Sequence, residues 1–171
     1  MAHFAEIKYE IDPTNFTQNK LWIVKRVIAV GNDIITSNGP LGENDMHIDG
    51  EEWCIKFFKG GFWKQTSYNS NFRKKYASIG DIYDPTKNKF ISQQPFLSWS
   101  LDINDDWKAP INYPTIVNND EPYPNDWFYI IKWDEDAYNV DNTKGWKAIK
   151  SNDKTETPIV YNWNGTFWIS S

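Results

Sequence analysis

The sequence predicts a mainly β chain of the α+β kind: an antiparallel sheet packed by one helix, followed by a series of β-hairpins. Three observations lead there. Short apolar runs with two-residue alternation recur along the chain, separated by turns rich in Asp, Asn and Gly. "DMHIDGEEWCIKFFKGG" alone gives a convincing helix signal, with two pairs of side chains stacked four residues apart. Aromatic residues make up 17% of the 171 positions, and short strands need such large side chains to fill a thin core.

"HFAEIKYE" and "LWIVKRVIAV" read as the first two strands, joined by the polar link "IDPTNFTQNK". Under the two-residue repeat Trp22, Val24, Ile28 and Val30 share a face of the second strand, interrupted by Arg26. Residues 31–44 hold three Gly and a Pro and read as loop. A helix is expected over about 46–59. Trp53 and Phe57, and Cys54 and Phe58, stack four apart, and Asp49, Glu51 and Glu52 suit the positive end of its dipole. Lys56 and Lys59 suit the other end, and Gly60-Gly61 supplies a left-handed exit.

From Phe62 onward strands and turns alternate. "FWKQTSYN" leads to "FRKKYASIG", whose three cations read as a solvated strand edge or loop. "IYDPTKNKFI", "WSLDINDDWKAP", "YIIKWDEDAYNVDNTKGWKAIK" and "YNWNGTFWIS" then repeat one plan: aromatic, Asp or Asn, polar turn, aromatic. Asp and Asn serve such turns because their side chains bond nearby backbone N–H groups and tolerate positive φ. Pro110, Pro114, Pro122 and Pro124 mark an extended arm. The expected organisation is therefore a β-rich domain with one helix over 1–115, then a proline-rich arm and hairpins over 116–171.

Net charge is −5, with no dense basic run, so no nucleic-acid face is expected. No stretch approaches the 18 or so apolar residues a membrane span requires. Cys54 is the sole cysteine, which excludes an internal disulfide. The opening "MAHFAEIKYE" lacks a secretory pattern, leading to an expectation of synthesis in a reducing cytoplasm.

Catalytic and metal readings are weak. Asp45, His47 and Asp49 alternate in "DMHID", yet acidic residues at the start of a helix are expected for dipole reasons alone. His3 reads as a satisfied surface or edge histidine. Ser70, Ser78 and Ser98 lack the Gly-x-Ser-x-Gly elbow. Asp102, Asp105 and Asp106 lack the Gly and distal Glu of a calcium loop. Cys54 reads as a small apolar residue on the helix. A non-enzymatic chain without cofactor or metal is expected.

The segments "MAHFAEI", "RVIAVGN", "WKQTSYNSNFRKKYASIG", "YDPTKNKFI", "QQPFLSWSLD" and "WKAPINYP" resemble a family of small proteins of marine tailed phages, chiefly those infecting cyanobacteria and related ocean bacteria. The resemblance covers residues 1 to about 115 and is looser beyond. It departs at Asp81, where the family commonly has an aromatic, and in the longer tail from 116. It implies a virion structural or accessory protein that is made in the host cytoplasm and binds other capsid or tail proteins, with head decoration as the leading place. It brings no catalytic residues. The alternative is a glycan- or receptor-binding module of a tail fibre or tail tip.

The aromatic residues of the C-terminal part are the candidate contacts: Tyr113, Tyr123, Trp127, Trp133, Tyr138, Trp146, Tyr161, Trp163 and Trp168. Core packing, docking on a neighbouring subunit (another virion protein or a second copy) and stacking on a host glycan each account for them. With a two-residue turn at Asn164-Gly165, Tyr161 faces Trp168 and Trp163 faces Thr166. Val160, Asn162, Phe167 and Ile169 take the other side. Both sides are then largely apolar, and the hairpin is expected to be covered twice.

Overall fold

A computed structural model describes residues 1–11, 19–41, 48–117 and 127–171. Asp45, His47, Pro122, Tyr123 and Pro124 lie outside the described residues. The chain forms two compact units, Met1–Gln94 and Pro95–Ser171. The architecture is mainly β and antiparallel throughout, as predicted, with one helix packed on the first sheet and further hairpin sheets after it.

The first unit is built on β1 (Ala2–Ile11) and β2 (Lys20–Val30). Small elements β3 (Ile35–Thr36) and β4 (Gly39–Pro40) pair with each other and lead to α1 (Ile48–Phe57). Next come β5 (Phe62–Thr66), β6 (Ile82–Asp84) and β7 (Lys89–Ile91), giving a five-stranded sheet in the order β5-β1-β2-β6-β7.

One core lies on each side of that sheet. Phe4, Val30, Leu41, Cys54 and Trp63 form the first, with Trp53 and Phe58 of the α1 region packed against it. Ala5, Ile7, Val24, Ala77, Tyr83 and Phe90 form the second, where β6 and β7 curl back.

The expected single face of β2 is not observed. A β-bulge at Glu6/Ile7 shifts the pairing from Glu6↔Arg26 to Ile7↔Val24, so β2 carries one unpaired residue, Lys25. The extra residue reverses the side-chain alternation. Trp22 and Val24 therefore join the second core, while Ile28 and Val30 join the first. Arg26 sits over the rings of Phe58, 4.3 Å from the centroid, and Trp63.

Helix α1 approaches the sheet through a residue with no side chain. A Cβ on Gly50 would stand 2.3 Å from Cζ of Phe4 and 2.9 Å from Cδ1 of Leu41, both fully buried. Gly50→Ala is expected to destabilise the protein by about 1–3 kcal/mol, because overpacking a dense core outweighs the roughly 1 kcal/mol that Ala gains in helix propensity. A denaturant midpoint higher than wild type would contradict this packing.

Arg73 of the basic cluster is not solvated. Arg73 stands at φ +54° with its side chain buried, donating to Glu51 Oε1 at 2.7 Å, to the Gln65 carbonyl at 2.7 Å and to Asn88 Oδ1 at 2.9 Å. Asp81 is buried too. It accepts from the Ser78 N–H and pairs with Lys75 at 2.8 Å, fixing the turn that enters β6.

The second unit contains a two-stranded pair, β8 (Ser100–Leu101) and β9 (Trp107–Lys108). It also holds a four-stranded sheet of β10 (Tyr129–Trp133), β11 (Trp146–Lys150), β12 (Tyr161–Trp163) and β13 (Trp168–Ser170), in sequential order. A short helix α2 (Glu135–Val140) joins β10 to β11 where a plain hairpin turn was expected. Asp134 starts it, its side chain accepting from the Ala137 N–H at 2.8 Å.

The division at Gln94/Pro95 falls before the expected break at 115/116. Packing supplies the reason. Phe96, Trp99, Ala109, Ile111 and Ile116 all pack on the buried Trp133, Trp146 and Trp163. The described part of the proline-rich segment is thus no free arm, and Pro114 is fully buried.

Candidate functional site

The C-terminal sheet carries different chemistry on its two faces. Pairing Trp133↔Trp146, Ile131↔Ala148 and Tyr129↔Lys150 places these residues on one face, and Ala148↔Tyr161 and Trp163↔Trp168 extend it. Trp133, Trp146 and Trp163 are buried there, with Trp133 and Trp146 edge to face at 5.1 Å. Their polar edges are satisfied within the chain. The Trp133 indole donates to Glu135 Oε2 at 2.7 Å, that of Trp146 to the Ile111 carbonyl at 3.0 Å, and that of Trp168 to the Ile116 carbonyl at 2.7 Å.

Of the nine candidate aromatics, these positions make Trp133, Trp146 and Trp163 core rather than surface. Tyr138 is half-buried against Trp133 at 5.3 Å, and Tyr113 is exposed but sets its ring edge-on to Trp146 at 5.0 Å. Trp127, Tyr161 and Trp168 are half-buried around Tyr129, at centroid distances of 5.0, 5.5 and 5.0 Å. The Lys150 ammonium lies 4.4 Å above Trp127 and 5.3 Å from Tyr161. Tyr123 is outside the described residues. Most of these rings spend their faces on one another.

The terminal hairpin has a longer turn than expected. Tyr161 pairs with Ser170 and Trp163 with Trp168, leaving 164–167 as the loop. Asn164 Oδ1 accepts from the N–H groups of both Thr166 and Phe167, which closes four residues and not two. A slip of two residues preserves side-chain parity, so Tyr161, Trp163 and Trp168 still share a face.

The other face bears Ile130 of β10, Ile149 of β11, Val160 just before β12 and Ile169 of β13. The register Ile130↔Ile149 and the continuation of Lys147↔Asn162 to Ile149 and Val160 align the first three across the sheet, and Ile169, which pairs with Asn162, stands diagonal to Val160 on the same face. Ile130, Val160 and Ile169 are 37%, 38% and 48% exposed and Ile149 is half-buried, so this apolar patch is only partly covered by the described residues. Lys132 and Lys147 border it, and with Phe96 and Glu135 they outline a shallow groove of about 580 Å³. The aromatic residues mark the face that packs inward, and this second face carries aliphatic side chains instead. The signal that could have found this one is the second parity of "YIIKW" and "WKAIK", where an Ile falls between the inward residues.

Glu135 is a structural clamp. It accepts from the Ser98 N–H at 2.9 Å, the Ser98 hydroxyl at 2.7 Å and the Trp133 indole. Burial pushes its carboxyl up, but these three hydrogen bonds together outweigh it and hold the group below its ordinary range. Asp134 lies low through its Lys147 and Ala137 bonds, Asp153 through Thr155 and Ile159, and Asp141, held by Thr143 and Lys144, falls to about 2.

A carboxyl depressed by folding contributes stability above its unfolded value and loses it as pH falls through the folded one. The second unit is therefore expected to lose stability progressively below about pH 4, the ordinary carboxylate range. Tryptophan fluorescence followed from pH 6 down to roughly pH 2 checks this; a flat profile would count against it.

Cys54 is buried, and that burial, with the nearby Glu51 charge, pushes its thiol up to about 12, which leaves it without thiolate character at neutral pH. Among the described residues no three His, Cys, Asp or Glu side chains converge to hold a metal ion. No described helix is long and apolar enough to cross a membrane. No protein-family model, curated protein or solved structure matches this chain.

Proposed function

We propose that the chain is a non-enzymatic structural or accessory protein of a tailed-phage virion, seated on other capsid or tail proteins, with head decoration as its place. The observation that carries the docking part is the partly exposed aliphatic patch of Ile130, Ile149, Val160 and Ile169 on one face of a four-stranded sheet. Contiguous exposed apolar surface rimmed by charged groups is the mark of a protein-binding face. The motif resemblance supports the particle. A sugar platform is the weaker reading, because three indole N–H groups that could meet a glycan are bonded to the chain itself.

Mass spectrometry of purified particles is expected to detect the protein, and immunogold labelling to place it on the head. An Ile130→Glu/Val160→Glu variant is expected to melt like wild type yet be left out of particles, since both sites are already partly wet. Absence of the wild-type protein from virions would end the particle assignment. Normal incorporation of the folded variant would end the assignment of this face.

A further inference from the structure

The two main sheets present four outer edges, and three of them are occupied. On β5 the Gln65 N–H donates to Glu51 at 2.9 Å, and its carbonyl accepts from Arg73. On β7 the Phe90 N–H donates to the Arg73 carbonyl at 3.0 Å. On β10 the Tyr129 N–H donates to the Val117 carbonyl at 2.8 Å. Edges are normally blunted in such ways because unpaired N–H and C=O groups template another strand.

The fourth edge, β13, has no such cover among the described residues. The Ser171 N–H donates to the Val160 carbonyl and the Asn164 N–H to the Phe167 carbonyl, so 160/171, 162/169 and 164/167 are the hydrogen-bonded pairs with β12. Alternation then turns the backbone groups of Trp168 and Ser170 outward. Apart from its short length of three residues, the strand carries none of the side-chain or backbone devices that discourage pairing. It contains no Lys, no Pro and no bulge, and residues 157–171 include no Asp, Glu, Lys or Arg.

We infer that β13 pairs antiparallel with β13 of a second copy, joining two four-stranded sheets into one continuous sheet across a two-fold axis. The outward groups fix the register. Trp168 of one copy exchanges both backbone bonds with Ser170 of the other, and the reverse, giving four hydrogen bonds. Ile169 then faces Ile169 in the closely spaced, non-hydrogen-bonded pair. The aliphatic patches of the two copies become one.

A second copy suits this edge better than a foreign strand. The arrangement is self-complementary, as a two-fold interface must be. It also brings together the longest uncharged stretch of a unit with 12 Asp and Glu against 6 Lys, where repulsion between copies is low.

Sedimentation equilibrium of the full chain is expected to show a monomer–dimer equilibrium within roughly 10–500 µM. Ile169→Lys and Ile169→Glu each set like charges across the axis and are expected to weaken it at least about ten-fold, while an equimolar mixture of the two restores association. Amide exchange on the unaltered chain gives an independent reading, with protection of the Trp168 and Ser170 N–H groups rising with concentration. A wild-type monomer throughout that range, single variants that still dimerise, a mixture that stays monomeric, or protection that ignores concentration would each overturn the inference. The pairing is independent of the particle assignment, since a chain missing from virions could still dimerise in solution.

Discussion

Glu51→Ala is expected to destabilise the first unit by about 3–5 kcal/mol, the cost of removing one partner from a buried charge pair. Glu51 is 7% exposed and accepts from the Gln65 backbone at 2.9 Å, Lys64 at 2.8 Å and Arg73 at 2.7 Å. Lys64 has enough exposure to turn toward water, but the Arg73 side chain has almost none. Its guanidinium would stay buried with only the Gln65 carbonyl and Asn88 as acceptors. The Gln65 amide would lose its acceptor as well. Glu51→Gln keeps an oxygen for that amide and should cost less. Combining Glu51→Met with Arg73→Met removes both charges and should recover much of the loss, since an apolar pair of similar volume serves a core as well. Urea denaturation of the three variants tests the ranking. Equal costs for Ala and the double substitution would mean that the charge pair is not the controlling interaction.

That network also shows where sequence reading stops. Helix α1 was legible because its signals are local: spacing of four, acidic residues first, glycines after. The four antiparallel strand pairs were legible for the same reason, with Asx turns at Asp84 and Asp102, although helix α2 between β10 and β11 was not. Arg73 was not, because its partners lie at Glu51 and Asn88, brought together only when the sheet curls. The bulge opposite Glu6/Ile7 leaves no mark in "LWIVKRVIAV" beyond a charged pair, yet it reverses the meaning of every position after Lys25. The turn at Asn164 admitted two loop lengths of equal parity, so the faces of the ribbon were readable and its pairing was not. Indole content identified the C-terminal unit as special, but burial depends on partners such as Ile111 and Ile116 that sequence distance hides.

Trp133→Ala is expected to cost the second unit about 3–5 kcal/mol, the range for deleting a buried aromatic. Trp133 is 7% exposed and touches Trp99, Tyr138 and Trp146. Gly145 lies so close that a Cβ there would stand 2.5 Å from the ring, so the backbone has no side chain with which to fill the space left behind. Trp133→Phe separates volume from hydrogen bonding. It retains a ring but removes the N–H that Glu135 accepts, while the two Ser98 donors remain. With one of three bonds gone and burial unchanged, the Glu135 carboxyl rises toward its ordinary range. Stability contributed by that carboxylate is present above its unfolded value and is lost as pH falls through the folded one, so raising the folded value removes part of it at neutral pH. Trp133→Phe should therefore show a smaller stability gap from wild type in acid, where Glu135 is protonated in both, than at pH 7. A gap independent of pH would assign the whole effect to packing and reduce Glu135 to a bystander.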